Sequence, residues 1–415
     1  MLTPVDLEKR VAYLQSPQAI RDRCQLLLER VLAGESEHFR LDLNRLGSVA
    51  DYVITTMRAH YPNGEIPFHS RWQHFQVGSG ERLARLENRL KDMDPLERLR
   101  CKWDLAIVSV LLDAGAGSAW KYRDPESQTV VGRSEGLALA SFDWFWQGGF
   151  SSDPQQPLQV DAAGLERITL ADLAAAFQVG PENPLLGLEG RWQLLQRLAQ
   201  TLRAQPHYFG SGHNLPRPGR LWDAIQPEDP SRGIKAAQVF QAVQRGFSSI
   251  WPGRVSLAGI PLGDVWPYPH LPQTEPGSHW VPFHKLSQWM TYSLLEPLQQ
   301  EGIPIWGLDE LTGLAEYRNG GLFVDLGVIQ LKQPEIGQQP HPPDSTVIVE
   351  WRALTVILLD QVASLIRERL GCSAQELPLV KILQGGTWTA GRQIAAQLRP
   401  DASPPIQLLS DGTVF

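Results

Sequence analysis

Apolar residues recur three and four apart through most of this 415-residue chain, a spacing that commits it to a helical architecture. Ile20, Cys24, Leu27, Leu28 and Val31 form one such stripe. Ser16-Pro17 suits its start and Gly34 stops it. Leu46, Val49, Val53 and Met57 line a second helix over 46–60. The same spacing predicts helices over 81–90, 94–112, 188–202, 233–247 and 284–299, a run ending at Trp146, and another that starts at the N-cap Thr169. Leu322, Val324, Leu326 and Val328 alternate instead, so 320–331 reads as a strand. Residues 345–370 are long and apolar; Glu350 and Arg352 would share a face there on a strand but not on a helix. The expected fold is mainly α (α+β), a large helical protein with a small sheet.

A chain of this length holds two lobes or one composite domain. Residues 205–230 are rich in Pro, Gly, His and Asn and read as a lobe connection or an active-site lid. A cut there gives an N-terminal helical lobe over 1–215 and a C-terminal lobe over 216–415. A net charge of −7 and a pI near 5.8 argue against a dedicated nucleic-acid binder. Cys24, Cys101 and Cys372 lie far apart and outside any CxxC pattern, which fits a reducing compartment and offers no thiolate metal site. The first residues lack a signal peptide's apolar centre, and no run approaches the roughly 18 apolar residues of a membrane span. The expectation is a cytoplasmic protein that binds neither membrane nor nucleic acid; the oligomeric state stays open.

Polar groups crowd between apolar segments in one stretch, Gly263 to Asp325, and such density costs stability unless every group is paired or used. It holds His270, His279, His284 and Lys285, and closes on Glu316-Tyr317-Arg318-Asn319-Gly320-Gly321. Lys285 and Gln288 fall on neighbouring turns of one helix face. Lys285 sits in the first turn, where the helix dipole disfavours a cation, so a nearby anion or a lowered lysine pKa is expected. Upstream, His69, Arg71, Trp72 and His74 are packed within a few residues; they reach a polar or anionic ligand, or are satisfied core groups. Asp113 precedes Ala-Gly-Ala-Gly, which lets backbone approach a ligand or simply ends a helix. Gly385-Gly386-Thr387-Trp388, followed by Arg392, reads as a turn before a helix that can take a phosphate, without the spacing of a nucleotide P-loop.

Three imidazoles can bind zinc, but the spacing of His270, His279 and His284 matches no standard motif. No cofactor is expected, with a metal on those histidines as the alternative. Nucleophilic serine chemistry lacks its GxSxG elbow. Paired acid–base chemistry has candidates in Asp113, Glu316, Asp325 and Glu350, with Lys285, Arg318 and Arg352 as the motif cations.

The motifs HSRWQHF (69–75), LLDAGAG (111–117), GLEGR (187–191), VPFHKLSQW (281–289), LTGLAEYRNGGLFVD (311–325), VEWRALTV (349–356), GGTWTAGR (385–392) and SDGTVF (410–415) together resemble the uracil-catabolism protein four family, once described as a domain of unknown function. The resemblance covers essentially the whole chain. It implies a role in pyrimidine breakdown through ribosylated urea-type intermediates, with release of urea, and does not by itself define the reaction. Over roughly the C-terminal third, FHKLSQW, AEYR and EWRALT are also similar to queuosine salvage proteins, which are nucleotide N-glycoside hydrolases. That similarity implies a DNA-glycosylase-type helical fold for the C-terminal half. It carries over Lys285 and Gln288, then Glu316, Tyr317 and Arg318, then Glu350, Arg352 and Thr355, with Glu316 where that family has Asp.

Cleaving a ribosyl C1′–N bond builds an oxocarbenium-like cation, which a fixed carboxylate stabilises, captures, or relieves by activating water. Glu316 is assigned that role and Lys285 is its partner. Glu350 and Arg352 would pair or bind ribose hydroxyls. His69 and Arg71, or Arg392, would take a 5′-phosphate. Trp289 and Trp72 would wall a planar group, and His74, Asp113, His284, Tyr317, Arg318 and Trp388 complete the expected substrate contacts. The expected partner is a small ribosyl substrate of the ribosylurea type, hydrolysed to urea. The alternatives are a metal-dependent amidohydrolase or ring-opening enzyme of the same route, and a non-catalytic protein that binds an intermediate.

Overall fold

The computed structural model describes residues 3–78, 80–212, 215–251 and 254–409, and the SDGTVF motif lies outside them. The protein is mainly α, with strands only in short two-stranded pairs among the described residues. No helix among them is long and apolar enough to cross a membrane. The chain divides into two compact units built from interleaved segments. The first comprises Met1–His69, Gly253–Gln288 and Gly307–Leu409; the second comprises Ser70–Pro252, Trp289–Trp306 and Ser410–Phe415. Residues 215 and 216, where two sequential lobes were expected to meet, fall inside the second unit.

In the first unit the central element is the Thr346–Leu370 helix. Ser345 caps its start, and Gly371, at a φ of +66°, ends it in the left-handed region that glycine tolerates. Every residue from Val347 to Leu359 is buried, Glu350 and Arg352 included, so this part of the helix is covered on more than one side. The Pro17–Leu32 and Leu46–His60 helices pack on it. Each fully buried Leu, Ile or Val contributes roughly 1.5–3 kcal/mol. The segment expected as a strand over 320–331 is instead a helix, Tyr317–Asp325, and only Ile329–Leu331 is extended, pairing antiparallel with Phe39–Leu41. Leu322 and Phe323 are buried on that helix. The apparent alternation arises because its apolar residues straddle the helix end and the short strand that follows.

In the second unit the Pro95–Leu111 helix is buried from Cys101 to Leu111 and is capped by Asp94. Arg217 and Gly219, in the segment expected to connect two lobes, are fastened to it. Arg217 places two nitrogens on Asp104 Oδ2, at 3.0 and 2.7 Å, and Gly219 N–H donates to Asp104 Oδ1 at 2.7 Å. Desolvation dominates at Asp104 and raises its pKa to about 6, against the pull of Arg217.

The Lys285–Gln300 helix contains Pro297, which has no N–H for the carbonyl four residues back. That carbonyl, Ser293 O, accepts from Trp72 Nε1 at 2.7 Å instead. One tryptophan of the HSRWQHF motif thus satisfies the carbonyl that the proline leaves without its helical N–H.

Candidate functional site

Asp264 organises the polar centre of the first unit. It follows Gly263, whose φ of +67° turns the chain into the Val265–Pro267 strand. Its carboxylate accepts from Arg352 Nη1 and Nη2, both at 2.7 Å, from Trp266 Nε1 at 2.6 Å and from the Lys285 N–H at 2.9 Å. Desolvation is the largest influence and pushes its pKa up, but the guanidinium fork and the hydrogen bonds overcome it and hold the carboxyl well below the usual range. The anion expected near the first turn of the Lys285 helix is therefore Asp264, sitting where the helix dipole favours it. Arg352 also donates Nε to Ala315 O at 3.2 Å and lies over the Phe283 ring at 4.0 Å. A single guanidinium thus ties the start of the Lys285 helix to the residue before Glu316.

Glu316 is the N-cap of the Tyr317–Asp325 helix. Its carboxylate accepts from Arg318 N at 2.7 Å and Asn319 N at 2.5 Å. The residue keeps some accessible surface. Protein nonetheless surrounds the carboxyl closely enough that desolvation raises its pKa above the ordinary glutamate value. The two N–H groups and the charges of Lys285 and Arg318 act in the opposite direction. A carboxylate held by fixed dipoles, largely shielded from water and within the field of a lysine, is arranged to face developing positive charge.

The other expected residues of this unit lie as follows. Gln288 donates Nε2 to Thr312 Oγ1 at 2.9 Å. Arg318 donates to Ala402 O at 2.8 Å and lies over the Tyr317 ring at 5.0 Å. Glu350 and Arg352 take different partners, because the segment is a helix: Glu350 accepts from Ser36 Oγ and Tyr268 OH, while Arg352 goes to Asp264. His69 shares a hydrogen with Gln384 Oε1 at 2.8 Å and packs 5.6 Å from the Trp388 ring, over which Arg392 lies at 4.7 Å. His284 is fully enclosed; desolvation lowers its pKa, and its Nε2 meets Leu14 O at 2.8 Å. His270 packs edge-on to Tyr268 and His279 edge-on to Trp280. Among the described residues no group of three or more His, Cys, Asp or Glu is placed to hold a metal.

The Gly385-Gly386 segment is not a turn. Leu383–Thr387 forms a π-helical turn between the Leu379–Ile382 and Trp388–Leu398 helices. No helix N-terminus is presented there for a phosphate, because the helix begins upstream of the glycines. They are small for a packing reason: a Cβ at Gly386 would stand 2.4 Å from Val53 Cγ1, and one at Gly385 2.9 Å from Ile66 Cδ1.

The second unit has its own polar cluster. Arg71, fully buried, reaches Asp113 at 2.9 Å, Ser109 Oγ at 2.7 Å and Ser134 Oγ at 3.0 Å. Ser134 Oγ lies 2.7 and 2.8 Å from the two Asp113 oxygens, and Trp289 Nε1 donates to Asp113 Oδ2 at 3.2 Å. The His74 ring lies 5.5 Å from that of Trp289, and its Nδ1 is 3.1 Å from Ser134 Oγ. Desolvation lowers the Arg71 pKa, with Asp113 pulling it back. The Ala-Gly-Ala-Gly segment after Asp113 is held by Arg191 of GLEGR, which donates to the carbonyls of Leu112, Ala114 and Gly115. Desolvation brings the Arg191 pKa down to about 10.

The model of a family described as "Protein of unknown function (DUF1688)" matches residues 13–415. The chain belongs to the DUF1688 family. It is 42% identical over 412 residues to protein urg3 of Schizosaccharomyces pombe, covering 98% of this chain and 99% of that one. It is 37% identical over 443 residues to uracil catabolism protein 4 of Lachancea kluyveri, covering 99% of this chain and all of that one.

Within this DUF1688 chain, sequence reasoning passed over Asp264, Asn319 and Trp351. Asp264 carried a signal: an acid between glycine and an apolar strand must find a cation when it is buried. Asn319 and Trp351 carried none, since neither residue type reveals on its own whether its polar atom is paired.

Proposed function

We propose that this protein acts in uracil catabolism as an N-ribosyl hydrolase, cleaving the C1′–N bond of a 5′-phosphorylated ribosylurea-type intermediate to release urea. Involvement in uracil catabolism is supported by the name of the Lachancea relative, to which the identity runs along essentially the full length. The single observation that carries the chemistry is Glu316, a desolvated carboxylate fixed by two backbone N–H groups with Lys285 acting on it.

As the C1′–N bond breaks, its electron pair leaves with the nitrogen and the sugar becomes cationic. Ionised Glu316 stabilises that cation and takes a proton from the water that adds to C1′. The leaving nitrogen gains a proton, and Lys285 is the group assigned to supply or steer it. Water is consumed, and urea and ribose 5-phosphate are formed. Asp264 and Arg352 are positioning residues: they fix the first turn that carries Lys285 and the chain just before Glu316. His69 and Arg392 flank the Trp388 ring in the same unit and are assigned to the phosphate end.

The test is incubation of the purified protein with N-ribosylurea 5′-phosphate and assay of urea. Stoichiometric urea and ribose 5-phosphate are expected. Tight binding without any urea would favour the non-catalytic alternative and end the hydrolase assignment.

A further inference from the structure

Buried polar atoms in folded proteins nearly always have a partner, so those left without one mark strain or a missing ligand. In the first unit three such atoms belong to side chains tied to the Glu316 segment: Gln288 Oε1, Asn319 Oδ1 and Trp351 Nε1. Gln288 and Asn319 hang their NH2 ends on the same short piece of chain, Thr312 Oγ1 at 2.9 Å and Leu314 O at 3.3 Å, which leaves both oxygens unpaired. The Asn319 N–H is itself held by Glu316. The Trp351 indole lies against the first turns of the helix that Glu316 caps, since a Cβ on Gly320 would stand 2.8 Å from Nε1. Glycine at 320 is what admits the indole there. A further orphan, Thr387 Oγ1, is a hydroxyl that donates or accepts and so does not bias the count. The arginine nitrogens without partners at Arg23 and Arg30 belong to half-buried guanidinium groups bonded through other nitrogens.

The unpaired set is two acceptors and one donor. An N-linked ureido group offers the complement: several N–H donors and one carbonyl acceptor. An N1-linked uracil ring offers the reverse, two carbonyl acceptors and one N–H. We infer that Gln288, Asn319 and Trp351 select an open-chain ureido group over the intact pyrimidine ring beside Glu316. Gln288 and Asn319 accept from its N–H groups, and Trp351 donates to its carbonyl. This rests on the N-ribosyl hydrolase reading of the same site. A site whose buried groups would go unpaired with the wrong ligand discriminates strongly. The consequence for reaction order is that two hydrolyses precede this step, one opening the ring at N3–C4 and one releasing the three ring carbons at N1–C6, so the class of reaction that supplies the substrate is hydrolysis of an N-linked enamine.

The experiment compares N-ribosylurea 5′-phosphate with uridine 5′-monophosphate, which share sugar and phosphate and differ only in the N-linked group. Calorimetric titrations use the Glu316→Gln protein and the same protein carrying Trp351→Phe. Uridine monophosphate is expected to bind at least about tenfold more weakly than the ureido ligand. Trp351→Phe is expected to weaken the ureido ligand about three- to tenfold. In the unliganded protein, Trp351→Phe removes an unpaired N–H and leaves the thermal midpoint unchanged or higher; a marked fall would assign the indole a structural role and overturn the inference. Equal affinity for the two ligands, no binding of either, or no effect of Trp351→Phe on affinity would also overturn it. If the ligands differ as expected but the unaltered protein releases no urea, the hydrolase reading fails and the selectivity stands. Urea release with equal affinities is the opposite outcome.

Discussion

Around Asp113, Arg71, Ser134 and Trp289 all direct donors at one carboxylate, whereas around Glu316 two backbone N–H groups hold the carboxylate and three buried polar atoms nearby have no partner. In sequence the two regions look alike, each a knot of acid, cation and aromatic residues beside glycines. The Asp113 cluster spends its polar groups on one another, apart from Arg71 Nη2. The first unit leaves hydrogen-bonding capacity for something else. A dense polar motif is therefore not in itself a site; what distinguishes a site is the capacity left over once the internal pairs are made.

The largest effect that separates the two regions is on stability. Asp113→Ala strands a fully buried Arg71 without its counter-charge and is expected to cost about 3–5 kcal/mol in denaturant unfolding. Glu316→Gln keeps a carbonyl oxygen at the N-cap and is expected to cost only about 0.5–2 kcal/mol. Equal losses would erase the distinction. An intermediate effect concerns packing. Gly386→Ala drives a methyl into Val53 and Met57 and is expected to cost about 1–3 kcal/mol. An alanine tolerated without loss would mean that the π-helical turn serves something other than close approach. The smallest effect is on pH dependence. The proposed mechanism requires ionised Glu316, so kcat/KM is expected to fall on the acid side as it protonates. Because its pKa is raised, that limb lies above the ordinary glutamate range. The Lys285 charge lowers the Glu316 pKa, so Lys285→Met moves the limb to still higher pH. A limb that stays put in Lys285→Met would show that the two residues do not act on each other.

Much of the helical framework was legible because long periodic stripes have one physical solution. The helix over Leu46–His60 and the Thr169 cap fall where the sequence places them. The Tyr317–Asp325 helix did not, for a specific reason. Its N-cap is a glutamate, where Ser, Thr, Asp or Asn is the usual signal, and two glycines in its first turns weaken the helical pattern. The capping glutamate is the residue assigned to the chemistry, so the feature that hid the helix is the feature that makes the site. The Glu350–Arg352 spacing was equally ambiguous; only the helical conformation of Thr346–Leu370 decides that the two side chains leave in different directions. Trp72 was read as a pocket wall, yet its indole N–H is committed to the carbonyl that Pro297 strands. That requirement arises from a residue more than two hundred positions away, which no local pattern encodes.

The central claim is that Glu316 does chemistry on a ribosyl C1′–N bond. It is tested most directly by the rate of urea release from N-ribosylurea 5′-phosphate, measured for the unaltered protein and for Glu316→Gln at equal folded concentration. The predicted result is that the unaltered protein releases urea and the variant is slower by about 100-fold or more while ligand affinity changes only a few-fold. Equal rates in the two proteins would contradict it.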